Sequence, residues 1–138
     1  ASPFEVLTSI HVPPTGAGHR GAYGKLRDRG SIDFPLLGVA CSFDLDAAGV
    51  IVNADLVVTA LQARPARARK AIALLEGADT SSEGFEAVIA AVAEAAHKQC
   101  HPLPNIPGDH EYRREMVPVY VTRTLRAALG ESGPVHHI

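Results

Sequence analysis

The stretch LLGVACSFDLDAAGVIVNADLVVTAL, residues 36–61, decides how the rest of the chain folds. In its first half Leu37, Val39, Cys41, Phe43 and Leu45 alternate with Leu36, Gly38, Ala40 and Ser42, the two-residue period of a strand. Asp46-Ala47-Ala48-Gly49 is a short turn ending in glycine, and Val50 to Leu61 returns, with Val50, Val52, Ala54, Leu56 and Val58 expected on one face. Two strands joined by so short a turn must be antiparallel.

Upstream, Phe4, Val6, Thr8, Ile10 and Val12 alternate with Glu5, Leu7, Ser9 and His11, which predicts a third, half-buried strand ended by Pro13-Pro14. Thr15 to Gly21 carries three glycines and is expected to be loop. It leads into Arg20–Ala40, RGAYGKLRDRGSIDFPLLGVA, in which Tyr23, Lys25, Arg27 and Arg29 precede an Asp-Phe-Pro corner at Asp33–Pro35. A basic loop feeding a buried strand is a common way to present polar groups on a rigid edge, but a connecting loop is the plainer reading.

Downstream the period becomes helical and strands do not return. Pro65 suits a first helical turn; Ala68, Ala71, Ile72 and Leu75 form a stripe closed by Gly77. Thr80 and Glu83 predict a capping box for a second helix with the stripe Phe85, Val88, Ile89, Val92, Ala96. Pro102, Pro104, Pro107 and Gly108 break the chain; Asp109 is expected to cap a third helix reaching about Leu129, interrupted by Pro118 and stopped by Gly130. Strands first and helices after predict a two-layer α+β domain over residues 1–130, a three-stranded antiparallel sheet followed by three helices, with 131–138 a flexible tail holding His136 and His137.

Composition excludes several functions. At 138 residues the chain makes one domain, and 46% apolar with 20% charged residues is globular rather than disordered. A net charge of −2 gives no basis for nucleic-acid binding, and no apolar run spans a membrane. No leader is visible, and a start at Ala1 rather than Met fits a piece of a longer protein. Cys41 has the setting of a core residue and Cys100 ends a helix; two cysteines are no disulfide framework, so a reducing, cytoplasmic setting is expected. His97 and His101 share a helical face beside Cys100, yet Pro102 ends the helix and no carboxylate stands at ligand spacing, so no metal site is assigned. There is no G-x-S-x-G, no G-x-G-x-x-G between strand and helix, and no P-loop. A hydrolase or dinucleotide-binding enzyme therefore has no constellation to rest on, and no catalytic residue is assigned. Arg64, Arg67, Arg69 and Lys70 read as a solvated face or a partner contact, and Glu111, Arg113, Arg114 and Glu115 as solvent-facing or inter-helix pairs.

Five blocks in register, EVLTSIHVPP, GAYGKLRDRGSIDFPLLGVA, GVIVNADLVVTAL, RPARARKAIALLEG and DHEYRREMVPVYVTRTLRAAL, resemble the C-terminal domain of the FAD-binding medium subunit of molybdenum hydroxylases. This family includes carbon monoxide dehydrogenase, xanthine dehydrogenase and 4-hydroxybenzoyl-CoA reductase. The resemblance implies an upstream FAD-binding domain, a small subunit with iron–sulfur clusters and a large subunit with a molybdenum cofactor, with electrons passing between the clusters and FAD. It also implies that the block at Tyr23-Gly24-Lys25 approaches the flavin ring, with Asp33 and Phe34 nearby, while the diphosphate loops lie in the upstream domain. On this reading the isolated chain is inactive. The alternative from another class is a stand-alone interaction module of the same fold without redox activity.

Overall fold

The computed structural model describes residues 3–30, 32–104, 110–131 and 136–137. Strands β1 (His19–Leu26), β2 (Leu37–Leu45), β3 (Ile51–Thr59) and β4 (Ala66–Arg67) are followed by helices α1 (Arg69–Leu75), α2 (Phe85–Gln99) and α3 (His110–Ala128), then by β5 (His136–His137). The sheet order is β4-β3-β2-β1-β5. The first four strands pair antiparallel, and β5 pairs parallel to β1 at Lys25–Leu26, so the two described histidines of the expected tail sit in the sheet.

The α+β class and the 36–61 hairpin agree with the sequence pattern, but the third main strand is a different one. Phe4–Val12 forms no strand; residues 5–16 are irregular, and the neighbour of β2 is His19–Leu26, part of which was expected to be loop. The helix-facing positions of β1 are Ala22, Gly24 and Leu26, so its inner face offers little apolar bulk for a periodicity to register. Small residues there let α3 approach, and the Tyr120 hydroxyl donates to the Lys25 carbonyl at 3.4 Å.

In β3 the buried residues are Ile51, Ala54, Leu56 and Val58, whereas Val50 and Val52 are only half-buried. The cause is a β-bulge. Ser42 pairs with Asp55 and Asp44 with Val52, so Asn53 and Ala54 together face Phe43, and Asn53 takes a left-handed φ of 55°. Both bulge amides are satisfied by one carboxylate: Asn53 N–H donates to Glu76 Oε1 at 3.0 Å and Ala54 N–H to Oε2 at 2.9 Å. Glu76 is the last residue of the α1 turn, followed by Gly77 at φ 80°, so the carboxylate fastens α1 to the sheet. Glu76→Ala is expected to cost about 1–2 kcal/mol in denaturant unfolding, because two amides lose a charged acceptor.

Helices α1 and α3 lie on the sheet and α2 packs across both. Of the expected α2 stripe, Phe85, Ile89, Val92 and Ala96 are buried and Val88 is half-buried, and Ala93 joins them. Two start signals were misplaced. Pro65 precedes β4 rather than opening α1, and the Thr80 hydroxyl donates to the Gly49 carbonyl at 2.8 Å instead of capping α2, which begins after Gly84. The expected cap Asp109 lies outside the described residues. Helix α3 continues through Pro118, and its buried line runs Arg113, Val117, Tyr120, Val121, Thr124, Leu125, Ala128. Arg113, expected to face solvent or pair between helices, is fully buried against the sheet: its Nε donates to the Leu36 carbonyl at 2.8 Å and its terminal nitrogen to the Ala60 carbonyl. It joins the start of β2 to the end of β3.

Candidate functional site

The sheet face opposite the helices carries three cross-strand rungs: Gly21–Ser42–Asp55, Tyr23–Ala40–Val57 and Lys25–Gly38–Thr59. Cys41 points the other way, its thiol against the Thr124 carbonyl at 3.5 Å, which fixes the orientation of the alternation. Small residues at 21, 38, 40 and 42 leave the middle of the open face low, and a shallow depression is lined there by Ala40, Ser42, Asp55 and Val57. One edge is closed by the Arg67–Asp55 ion pair at 2.7 Å; the other carries Tyr23 and Lys25.

Tyr23 lies diagonally across Gly38. A Cβ on residue 38 would stand 2.8 Å from the Tyr23 hydroxyl oxygen and would also collide with Thr59 Oγ1. The glycine is thus the bed of the ring. Tyr23 remains 45% exposed, so the ring offers a free surface to a flat partner.

Lys25 reaches the loop that follows β1. Its ammonium donates to the Asp33 carbonyl at 2.7 Å, using one of three protons. The Asp33 carboxylate accepts the amides of Asp28 at 2.8 Å and Arg29 at 3.3 Å, and the Arg29 guanidinium donates to the Ile32 carbonyl at 2.8 Å. These bonds hold Ile32 at φ 45°, a strained conformation for a β-branched residue. The tip presents Ile32 and Phe34 almost fully to solvent. The structure therefore brings Tyr23, Lys25 and Asp33 into one hydrogen-bonded edge, with Phe34 projecting beside it.

Desolvation alone would raise the Asp33 pKa, but the Asp28 and Arg29 amides, with the Arg29 and Lys25 charges, outweigh it and hold the carboxyl below its ordinary 3.8. A folded value below the unfolded one means that the contribution of Asp33 to loop order is full above the unfolded pKa and fades as pH falls through the lowered folded value. Amide exchange at Asp28 and Arg29, corrected for the intrinsic rate, is accordingly expected to stay constant from pH 7 to about 5 and to accelerate below about pH 4. Asp33→Asn is expected to abolish that acid-dependent step.

Elsewhere the thiols of Cys41 and Cys100 are buried, and burial raises the pKa of each to about 11, which leaves them protonated and unreactive. His97 stands between Glu94 (3.8 Å) and Glu115 (3.5 Å), with His101 exposed. Among the described residues no three side chains gather as metal ligands, and no helix is long and apolar enough to cross a membrane.

Residues 21–128 match the CO dehydrogenase flavoprotein C-terminal domain. The chain belongs to this family. A CO dehydrogenase flavoprotein C-terminal domain thus has its match begin inside β1, two residues before Tyr23. Among curated proteins it is 29% identical, over 96% of its length, to the 6-hydroxypseudooxynicotine dehydrogenase complex subunit alpha of Paenarthrobacter nicotinovorans, of which it covers 43%. Among solved structures it is similar to carbon monoxide dehydrogenase from Hydrogenophaga pseudoflava lacking the Mo-pyranopterin moiety (TM-score 0.73, 30% identity, 86% of this chain and 39% of that one). It is also similar to reconstituted CO dehydrogenase from Oligotropha carboxidovorans (TM-score 0.72, 27% identity, 89% and 40%). The chain spans about two-fifths of the length of these relatives.

The residues suit one portion of FAD. A planar ring system matches the free surface of Tyr23, and the remaining Lys25 protons match a ring carbonyl. The diphosphate finds no cradle among the described residues. Gly21 and Gly24 lie in the extended backbone of β1, and the described glycines with a left-handed φ are Gly49, Gly77 and Gly130, so the run from Gly16 to Gly24 supplies no left-handed residue for an anion nest.

Proposed function

We propose that this chain is the C-terminal domain of the FAD-carrying subunit of a molybdenum hydroxylase-type oxidoreductase, where it forms one wall of the flavin site. The observation that carries this reading is the Tyr23 ring, bedded on Gly38 with free surface, beside the Lys25 ammonium. Bound flavin supplies the electron-transfer chemistry. In this reading Tyr23 covers the ring and excludes water, Lys25 donates to a ring carbonyl, and Asp33 positions Lys25 through its main-chain oxygen. Phe34 adds apolar cover from the loop tip. The diphosphate is held by the upstream domain, and the working complex includes an iron–sulfur subunit and a molybdenum subunit in the cytoplasm.

The test is substitution in the intact subunit. Tyr23→Ala and Lys25→Ala are each expected to change the flavin absorption envelope and to slow turnover about tenfold, near 1.4 kcal/mol of barrier. Unfolding of the domain should be unaffected, and Tyr23→Phe should retain activity. An unchanged flavin spectrum, reduction potential and turnover in both alanine variants would return the loop to a connecting role.

A further inference from the structure

Arg64, Arg67, Arg69 and Lys70 form an exposed corner where β4 meets α1. No acid stands between Asp55 and Glu76, so these four positive charges are collected in a chain of net charge −2, the rest of which carries −6. Gln62, Arg64, Pro65, Ala66, Arg67 and Arg69 line an open depression of about 470 Å³ at this corner. On the helices Lys98 reaches Glu94 at 3.1 Å and Arg126 reaches Glu86 at 2.7 Å, but here only Arg67 meets a carboxylate, that of Asp55. Among the described residues Arg64, Arg69 and Lys70 make no ion pair. Like charges left together repel, and an acidic surface laid over them relieves that repulsion.

We infer that this corner is the docking surface for an acidic face of another subunit of the complex. The inference rests on the reading of the chain as part of a multi-subunit flavoprotein oxidoreductase; the Paenarthrobacter relative is itself a subunit of a dehydrogenase complex. Guanidinium groups hold carboxylates through paired N–H donors, and arginine is enriched at protein interfaces. Two exposed leucines stand beside the charges. Leu74 lies one turn after Lys70 on α1 and is 45% exposed. Leu103, 44% exposed, is brought beside Gln62 by its amide, which donates to the Leu61 carbonyl at 2.8 Å. Apolar side chains next to arginines suit a protein surface, whereas a nucleic-acid backbone offers the leucines nothing to bind. The corner ends the sheet at β4, three strand spacings or about 14 Å from β1, where Tyr23 and Lys25 stand. A subunit seated here leaves the flavin wall uncovered and still lies next to it.

The experiment follows, by stopped-flow light scattering, association of the intact flavin-containing subunit with the remaining subunits of its complex at about 20 and about 200 mM salt. The double variant Arg64→Glu, Arg69→Glu is expected to associate about a hundredfold more slowly at the lower salt and about tenfold more slowly at the higher, because salt screens the steering. Arg64→Lys with Arg69→Lys should stay within about threefold of the wild type, and Arg64→Gln with Arg69→Gln should fall between. Each should melt within about 2 °C of the wild type, since both side chains are exposed and unpaired. Association of the reversed variant at the wild-type rate overturns the proposal, and so does a slowing that is equal at both salts. If the reversed variant does not fold, wild-type association by the glutamine variant overturns it instead. A DNA duplex of about 20 base pairs bound at Arg64 and Arg69, with assembly indifferent to both, overturns it in favour of nucleic acid. Flavin bound with assembly unaffected by the reversal defeats the docking surface alone; slowed assembly of a subunit that binds no flavin upholds the surface and defeats the functional reading.

Discussion

Arg113→Met is expected to destabilise the domain by about 3–5 kcal/mol in urea unfolding, the largest loss anticipated from a single substitution here. Methionine fills much of the volume, so the cost isolates the hydrogen bonds. The guanidinium serves the Leu36 carbonyl from Nε and the Ala60 carbonyl from a terminal nitrogen, in a fully buried setting. Without it both oxygens stay dehydrated and unpaired, and Ala60, at φ 69°, loses the bond that holds its left-handed turn. Arg113→Lys keeps the charge but loses the planar fork that serves the two carbonyls from two nitrogens, and should fall between the wild type and Arg113→Met. A loss below 1 kcal/mol for Arg113→Met would show that the strand ends are held by something else.

Gly38→Ala is expected to have the opposite profile, a small stability cost and a large effect on the site. The new methyl group would meet the Tyr23 hydroxyl oxygen at 2.8 Å and ring carbon Cε2 at 3.3 Å, besides Thr59 Oγ1. These are side-chain atoms, so the backbone can remain while the ring is lifted; about 1–3 kcal/mol covers such overpacking. Ring proton shifts of Tyr23 in the domain should move, and in the intact subunit flavin turnover should fall at least as far as with Tyr23→Ala. Adding Thr59→Ala removes one of the colliding atoms and should recover part of the original ring position. A Gly38→Ala variant with unperturbed Tyr23 signals would show that the ring does not depend on its glycine bed.

The parts of the fold legible in the sequence were those whose buried face is made of large side chains. The hairpin of β2 and β3 and the stripe of α2 announce themselves by period. Strand β1 does not, because its inner face is Ala22, Gly24 and Leu26 and its outer face polar. Phe4–Val12 misled for the converse reason: its alternation is that of a strand, yet residues 5–12 pair with no strand of the described sheet. Arg113 was hidden by its charge, although it stands one turn before Val117 on the α3 stripe, a phase that could have revealed it. Tyr23 and Lys25 stand out in the sequence only as part of a basic stretch, and the resemblance alone ties them to a flavin. Gly38 and Thr59 come from other strands, and no local pattern links them to Tyr23; only the cross-strand register does.

The bulge at Asn53 has a further meaning for how the chain tolerates changes in length. Asn53 and Ala54 occupy the place of a single residue opposite Phe43, so dropping Asn53 would restore an unbroken alternation in which Ile51, Ala54, Leu56 and Val58 keep their positions. The core does not require this residue. The extra residue instead turns two successive amides toward Glu76 and sends its own side-chain amide to Asp44 at 3.0 Å. A deletion here would leave the layers in register and unfasten the helix from the strand, separating the specification of the fold from the means of holding it shut.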